Sequence, residues 1–177
     1  TDVLKPFDCG NADLNGFLLE MTGDIPNATT YDQQLLAATY VVEDDQTHDI
    51  LAYFSLLHDK LEREFVNPTN WNRVSRKIPN SKRRSSYPAL KIGRLAVNKQ
   101  HSMHGIGTHI IHFVEAMYLM NKQAGCRFLT VDAIPSAVDF YKKCKFFTLK
   151  EPDPVPEGSD ADELDQTTLM GFDLKSF

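Results

Sequence analysis

Apolar positions along the chain alternate between two spacings. Leu14, Phe17, Leu18 and Met21 recur three and four apart, with Asn11 or Asp13 placed to cap them, and predict a helix. The runs Leu35–Val42 and Ile50–Leu57 are short, apolar and partly β-branched or aromatic, which predicts strands. The polar tract EDDQTHD between them suits a hairpin turn. Residues 65–86 carry Asn-Pro, a lone Trp71, Ile-Pro-Asn and SKRRSS, and read as irregular. Tyr87–Val97 reads as a long strand, with Gly93 inside it marking a bulge or a close backbone approach. From Gly105 a helix opens, with Ile106, Ile110, Phe113, Val114, Met117 and Tyr118 on one face. Arg127–Asp132 predicts a short strand, Pro135–Cys144 a helix with proline in its first turn, and Phe146–Leu149 and Thr167–Leu174 closing strands. The acidic, Pro-rich stretch 151–165 is too polar to pack and predicts a mobile loop. The order describes a mixed α/β (α+β) domain without internal repeats.

Composition narrows the class. A length of 177 residues suits one domain, 1–177, able to bury roughly 70% of its unfolded surface. No apolar run approaches the roughly 18 residues of a membrane span, and the opening TDVLKPFDCG is not a secretory signal. The chain opens at Thr1 rather than at a methionine, which leaves room for residues upstream. Three dispersed cysteines, Cys9, Cys126 and Cys144, argue against a disulfide scaffold and fit a reducing, cytoplasmic setting.

Net charge is −5, yet its distribution is uneven. Residues 1–64 hold 13 acids and 3 bases, whereas 65–114 hold nine bases and no acid. Residues 151–165 carry seven acids and no base. A fifty-residue window of one sign suits a phosphate-bearing ligand, or else a solvated loop facing acidic neighbours.

The segment RLAVNKQHSMHGIGTHII, Arg94–Ile111, carries the chemistry. A strand, a polar loop and a Gly-x-Gly pair lead into a strong helix. Helix N-termini expose unpaired N–H groups and a partial positive charge, so Met103, His104, Gly105, Ile106, Gly107 and Thr108 can hold a diphosphate. The P-loop of nucleotide triphosphatases is excluded, because His109 follows Thr108 where Lys-Ser/Thr is required. A dinucleotide fold is excluded by the missing third glycine.

With these residues in view, the chain resembles the GNAT superfamily of acetyl-CoA-dependent N-acetyltransferases. The strand Arg94-Leu95-Ala96-Val97 and the loop Ser102-Met103-His104-Gly105-Ile106-Gly107 are similar to the family's R-L-A-V strand and Gln/Arg-x-x-Gly-x-Gly/Ala motif, with Ser102 in place of Gln or Arg. Ala133–Phe146 resembles A-x-x-F-Y-x-x-x-G-F, with Lys145 in place of Gly. Phe7-Asp-Cys9-Gly10, followed by Leu14, Phe17 and Leu18, resembles the opening of a branch related to toxin–antitoxin acetyltransferase toxins.

The resemblance implies a mostly antiparallel sheet flanked by helices, with strands 87–97 and 127–132 splayed to admit acetyl-CoA. It implies that Leu95, Ala96 and Val97 meet the pantetheine arm and steady the developing oxyanion, and that Tyr141 protonates the leaving thiolate. The implied reaction is direct attack by a primary amine, the amino group of aminoacyl-tRNA being the branch's acceptor; a homodimer is a candidate state.

On residues alone Tyr141 also reads as a core aromatic, sharing a helical face with Val138. A water or Asp132 are candidates for the general base, although an acid at a strand end is commonly a cap or turn former. His101, His104, His109 and His112 crowd together without a neighbouring Cys or acid, so no metal site is expected; His104 is expected to bond solvent or a cofactor phosphate. Cys126 and Cys144 read as buried apolar residues. Acceptor identity should rest on residues 58–86 and 150–166. Two rival classes remain: a silent acyl-CoA-binding module, and an RNA-binding protein using Trp71 and the basic window 65–114.

Overall fold

The computed structural model describes residues 6–19, 27–120, 124–153 and 166–176. Met21 and most of the stretch expected to be a loop, 154–165, lie outside the described residues. Five helices are described: α1 (Ala12–Leu19), α2 (Ala28–Gln33), α3 (Pro68–Ser75), α4 (Ile106–Met120) and α5 (Val138–Lys143). The strands are β1 (Ala38–Glu43), β2 (Ile50–Glu62), β3 (Ser86–Val97), β4 (Phe128–Ala133), β5 (Phe147–Lys150) and β6 (Thr168–Asp173). They form one six-stranded, mostly antiparallel sheet in the order β1-β2-β3-β4-β6-β5, flanked by helices. β3 and β4 pair in parallel at Ala89–Phe128, Leu90–Leu129 and Lys91–Thr130, and β4 runs antiparallel to β6 from Phe128–Asp173 to Ala133–Thr168.

The chain divides into two compact units, residues 1–57 with 92–117, and residues 58–91 with 118–177. In the first, Phe7, Phe17, Leu18, Ile50, Tyr53 and Ala96 form a buried cluster. Tyr53 is its centre: the ring meets Phe7 edge-on at 5.5 Å, and its hydroxyl donates to Leu14 O at 2.7 Å. Burial pushes that phenol above its ordinary pKa, so the hydroxyl stays protonated and can donate. Arg94 lays its guanidinium 3.8 Å from the Phe17 ring centroid, a cation–π contact between β3 and α1. Gly93 marks a close approach, as the sequence suggests: a Cβ there would lie 2.8 Å from Leu57 Cδ2.

In the second unit Leu61, Val66, Trp71, Val74, Tyr87, Ala89, Phe128 and Leu149 pack together. Here the sequence reading needs correction. The segment expected to be irregular contains α3, capped by Asn67, whose Oδ1 accepts Thr69 N–H at 3.0 Å, with Pro68 in the first turn. The only buried apolar positions of α3 are Trp71 and Val74, too few to display a helical period, and the Asn-Pro pair was the legible cue. Trp71, named above as a residue of the RNA-binding alternative, is 4% exposed and stacked on Tyr87 at 5.1 Å. It belongs to the core.

One helix and one boundary also differ. α2 is an addition, six residues held by Asn27 accepting Thr30 N–H at 2.9 Å. The first strand begins at Ala38 rather than Leu35, and Leu35 is 93% exposed.

The end of α5 explains the Lys145 departure. Phe146 N–H donates to Tyr141 O at 3.0 Å and Lys145 N–H to Lys142 O at 2.9 Å, the two bonds of a Schellman turn. Lys145 carries the left-handed φ of +66° that this turn demands. A non-glycine residue there costs about 1–2 kcal/mol, part of which glycine returns as unfolded-chain entropy. Lys145→Gly should therefore stabilise the protein by about 0.5–1 kcal/mol, read as a melting temperature about 2 °C higher. An unchanged or lower melting temperature would contradict the strain.

Candidate functional site

At the end of β3, Asn98 sets the direction of the chain. Its N–H donates to Leu51 O at 2.8 Å, its Nδ2 to Ile50 O at 3.1 Å, and its Oδ1 accepts Gln100 N–H at 3.1 Å. A single 3₁₀ turn, Lys99–His101, follows. Ser102 then turns its hydroxyl inward to donate to Lys99 O at 2.9 Å, so this side chain closes the loop. His104 Nδ1 donates to Ser102 O at 2.8 Å, which commits one imidazole nitrogen to the loop itself.

The reversal into α4 uses left-handed backbone twice, at Met103 (φ +66°) and Gly105 (φ +80°). A Cβ on Gly105 would sit 3.7 Å from the His109 ring, an ordinary contact. Conformation rather than space therefore asks for glycine there. His109 N–H makes the first helical bond, to Gly105 O at 3.0 Å. The N–H groups of Ile106, Gly107 and Thr108 precede that bond and have no acceptor one turn back within the helix. With the positive end of a fifteen-residue helix behind them, they form a cradle suited to an anion. The strand leading in has Ala96 in the core and Leu95 and Val97 half-buried on either side of it.

Tyr141 lies in the second unit, on α5. It is 5% exposed and meets Phe140 and Phe146 edge-on at 5.0 and 5.4 Å. Burial raises its phenol well above the ordinary value, with Cys144 adding to the effect, so it is a protonated donor at neutral pH. The same unit holds a polar row that the sequence revealed only at Asp132. Lys91 pairs with Asp132, while the buried Thr130 hydroxyl donates to Asp59 Oδ2 at 2.8 Å. Alternation explains why the row was missed: Lys91, Thr130 and Asp132 share a face with the apolar Ala89 and Phe128, and the ladder at Lys91–Thr130 brings them level. Asp132 is thus an ion-paired strand residue rather than a helix cap. Cys144 is buried and Cys126 half-buried, its thiol pushed up to about 11 by burial, which suits inert residues.

The bases of the acid-free window divide. Lys91 and Lys99 are in ion pairs, with Asp132 and Asp8. Arg73 lies over the Phe147 ring at 5.4 Å. Arg76, Lys77, Lys82, Arg83 and Arg84 are exposed and form no ion pair among the described residues. Beside α3 a polar cleft of about 610 Å³, lined by Glu64, Asn67, Asn70, Arg73, Lys150 and Glu151, joins the two least patterned stretches of sequence. Among the described residues no three His, Cys, Asp or Glu side chains group as metal ligands, and no helix is long and apolar enough to cross a membrane.

Residues 79–160, which span β3, the glycine loop, α4, β4, α5 and β5, match the family model of the GNAT acetyltransferase domain. This segment, just under half of the chain, is similar to a GNAT acetyltransferase domain. That similarity supports an N-acetyltransferase class for the chain. No curated protein sequence matches it. Among solved structures it is similar to a Tyr-to-Phe mutant of KacT, with a TM-score of 0.70 at 25% identity over 96% of this chain and 86% of that one. It is also similar to AtaT complexed with acetyl-methionyl-tRNAfMet (TM-score 0.66, 24% identity, 96% and 86% covered). AtaTR bound with AcCoA gives a TM-score of 0.63 at 23% identity, with 98% and 87% covered. Within the matched segment the Gly105 loop precedes the N-terminus of α4, and Tyr141 lies on α5.

Proposed function

We propose that the whole chain, 1–177, acts as one acetyl-CoA-dependent N-acetyltransferase that acetylates a primary amine by direct attack, the amine being that of aminoacyl-tRNA. The carrying observation is the loop–helix junction: a left-handed Gly105 followed by three N–H groups ahead of the first bond of α4, directly after the R-L-A-V strand. Those donors fit a diphosphate, which needs several N–H groups and no side chain in the way. In this reading Met103–Thr108 hold the diphosphate through the backbone, and Leu95, Ala96 and Val97 line the pantetheine arm.

Acetyl-CoA supplies an activated acetyl thioester. The acceptor nitrogen bonds to the acetyl carbon, the carbon–sulfur bond breaks, and the sulfur takes the Tyr141 proton. The proton shed by nitrogen leaves through solvent or a nearby carboxylate, Asp132 being a candidate. A phenol kept protonated by burial is well matched to that donation. That the KacT structure is of a Tyr-to-Phe mutant supports attention to a tyrosine. The tRNA reading is supported by the exposed bases without ion pairs and by the tRNA bound to AtaT.

Tyr141→Phe keeps the ring and its contacts with Phe140 and Phe146. Turnover should fall about 10²- to 10⁴-fold, with acetyl-CoA affinity nearly constant and stability within about 1 kcal/mol. A wild-type rate would remove Tyr141 from the chemistry. Charge reversal at Arg76, Lys77, Lys82, Arg83 and Arg84 should weaken tRNA binding and lower the salt slope by about 0.7–0.9 per lost phosphate contact, leaving CoA affinity unchanged. No binding or acetylation of charged tRNA at low salt would favour a small-amine or peptide acceptor.

A further inference from the structure

The opening motif, Phe7-Asp8-Cys9-Gly10, has no part in the mechanism above, yet it is hydrogen-bonded to the loop that the mechanism uses. Asp8 is the junction. One carboxylate oxygen accepts Gly10 N–H at 2.8 Å and Asn15 Nδ2 at 3.0 Å, and the other pairs with Lys99 Nζ. The Asp8 carbonyl also accepts Lys99 N–H at 2.8 Å, so the two residues are joined through both backbone and side chain. These bonds hold the carboxyl down to about 2, fully ionised near neutrality.

On its far side the motif is fixed. Phe7 is buried against Tyr53, Gly10 takes a left-handed φ of +86°, and Asn15 Oδ1 accepts Cys9 N–H at 2.9 Å and its thiol at 3.1 Å. On the near side the contacts continue without a gap. Lys99 O accepts the Ser102 hydroxyl, Ser102 O accepts His104 Nδ1, and the next residue is Gly105. A continuous path therefore runs from a rigid, core-anchored motif to the backbone that sets the direction of the cradle.

We propose that Asp8 is a positioning residue for the diphosphate loop: through Lys99 it holds Ser102–Gly105 in the conformation that aims the N–H groups of Ile106–Thr108 at one anion. This rests on the acetyl-CoA reading above. Asp8 and Lys99 are about half exposed, so the pair adds little to global stability. Its effect is on loop geometry, and affinity rather than folding should register it.

Calorimetry with CoA and with S-acetyl-pantetheine, which lacks the diphosphate, tests the idea on the full chain. Asp8→Asn and Lys99→Met should each weaken CoA binding about five-fold, with S-acetyl-pantetheine affinity and melting temperature unchanged. The double variant should be no worse than either single one, because both remove the same link. Lys99→Arg should restore wild-type affinity. With CoA bound by the wild type, unchanged affinity in both single variants overturns the proposal, as does tighter binding by Asp8→Asn or an additive double variant. The latter two results would make Lys99 a direct phosphate ligand. If wild-type protein binds no CoA at all, the acetyl-CoA reading itself falls first, a result distinct from any difference among variants.

Discussion

A single backbone conformation underlies the functional reading. Between β3 and α4 the chain must reverse within a few residues while leaving the first N–H groups of α4 without internal acceptors. That is achieved by left-handed backbone at Met103 and Gly105, with Asn98 fixing the entry and the Gly105 carbonyl starting the helix. Had the helix begun one residue earlier, or had side chains capped its donors, the partial positive charge would be spent internally. Ser102 contributes to this by turning its hydroxyl to Lys99 O, so the recognition surface left over is mainly main chain. A main-chain cradle tolerates side-chain change, so in the proposed reading Ser102 in place of the usual Gln or Arg does not remove it.

Much of the architecture was legible because it rests on long periodic segments. The face Ile106, Ile110 and Val114 defines α4, and YPALKIGRLAV extends over most of β3. What escaped was short or dependent on distant partners. α2 and α3, six and eight residues long, start at asparagine caps; α2 buries no residue and α3 only Trp71 and Val74 among its apolar ones, too few to establish a period. The polar row of Asp59, Lys91, Thr130 and Asp132 was invisible because its members come from three strands, and only the sheet ladder aligns them. The glycine loop and Tyr141 were readable as candidates because their spacing within one stretch of chain carries the meaning. Lys145 shows the limit of pattern: the motif's glycine is absent, yet the left-handed turn is kept.

The charge distribution also changes meaning once the fold is known. The window 65–114 looks like one basic patch in sequence, but it serves three purposes. Arg94 packs on Phe17, Lys91 and Lys99 neutralise aspartates, and five bases around α3 and the following turn remain in solvent. This last group is exposed and without ion pairs among the described residues, so a net charge of −5 is compatible with the polyanionic acceptor proposed above. Residues 79–160 match a GNAT acetyltransferase domain, whereas in the proposed reading the acceptor is recognised by these five side chains.

The central claim is that backbone N–H groups at the start of α4 hold the diphosphate of acetyl-CoA. Isothermal titration of CoA into wild-type protein and Gly105→Asp tests it most directly. The aspartate sets a negative charge against the cradle and a Cβ on a residue at φ +80°. The account predicts saturable binding by the wild type and a loss of more than about tenfold in the variant, with the circular dichroism of a folded domain retained. Equal affinity in two folded proteins would contradict it.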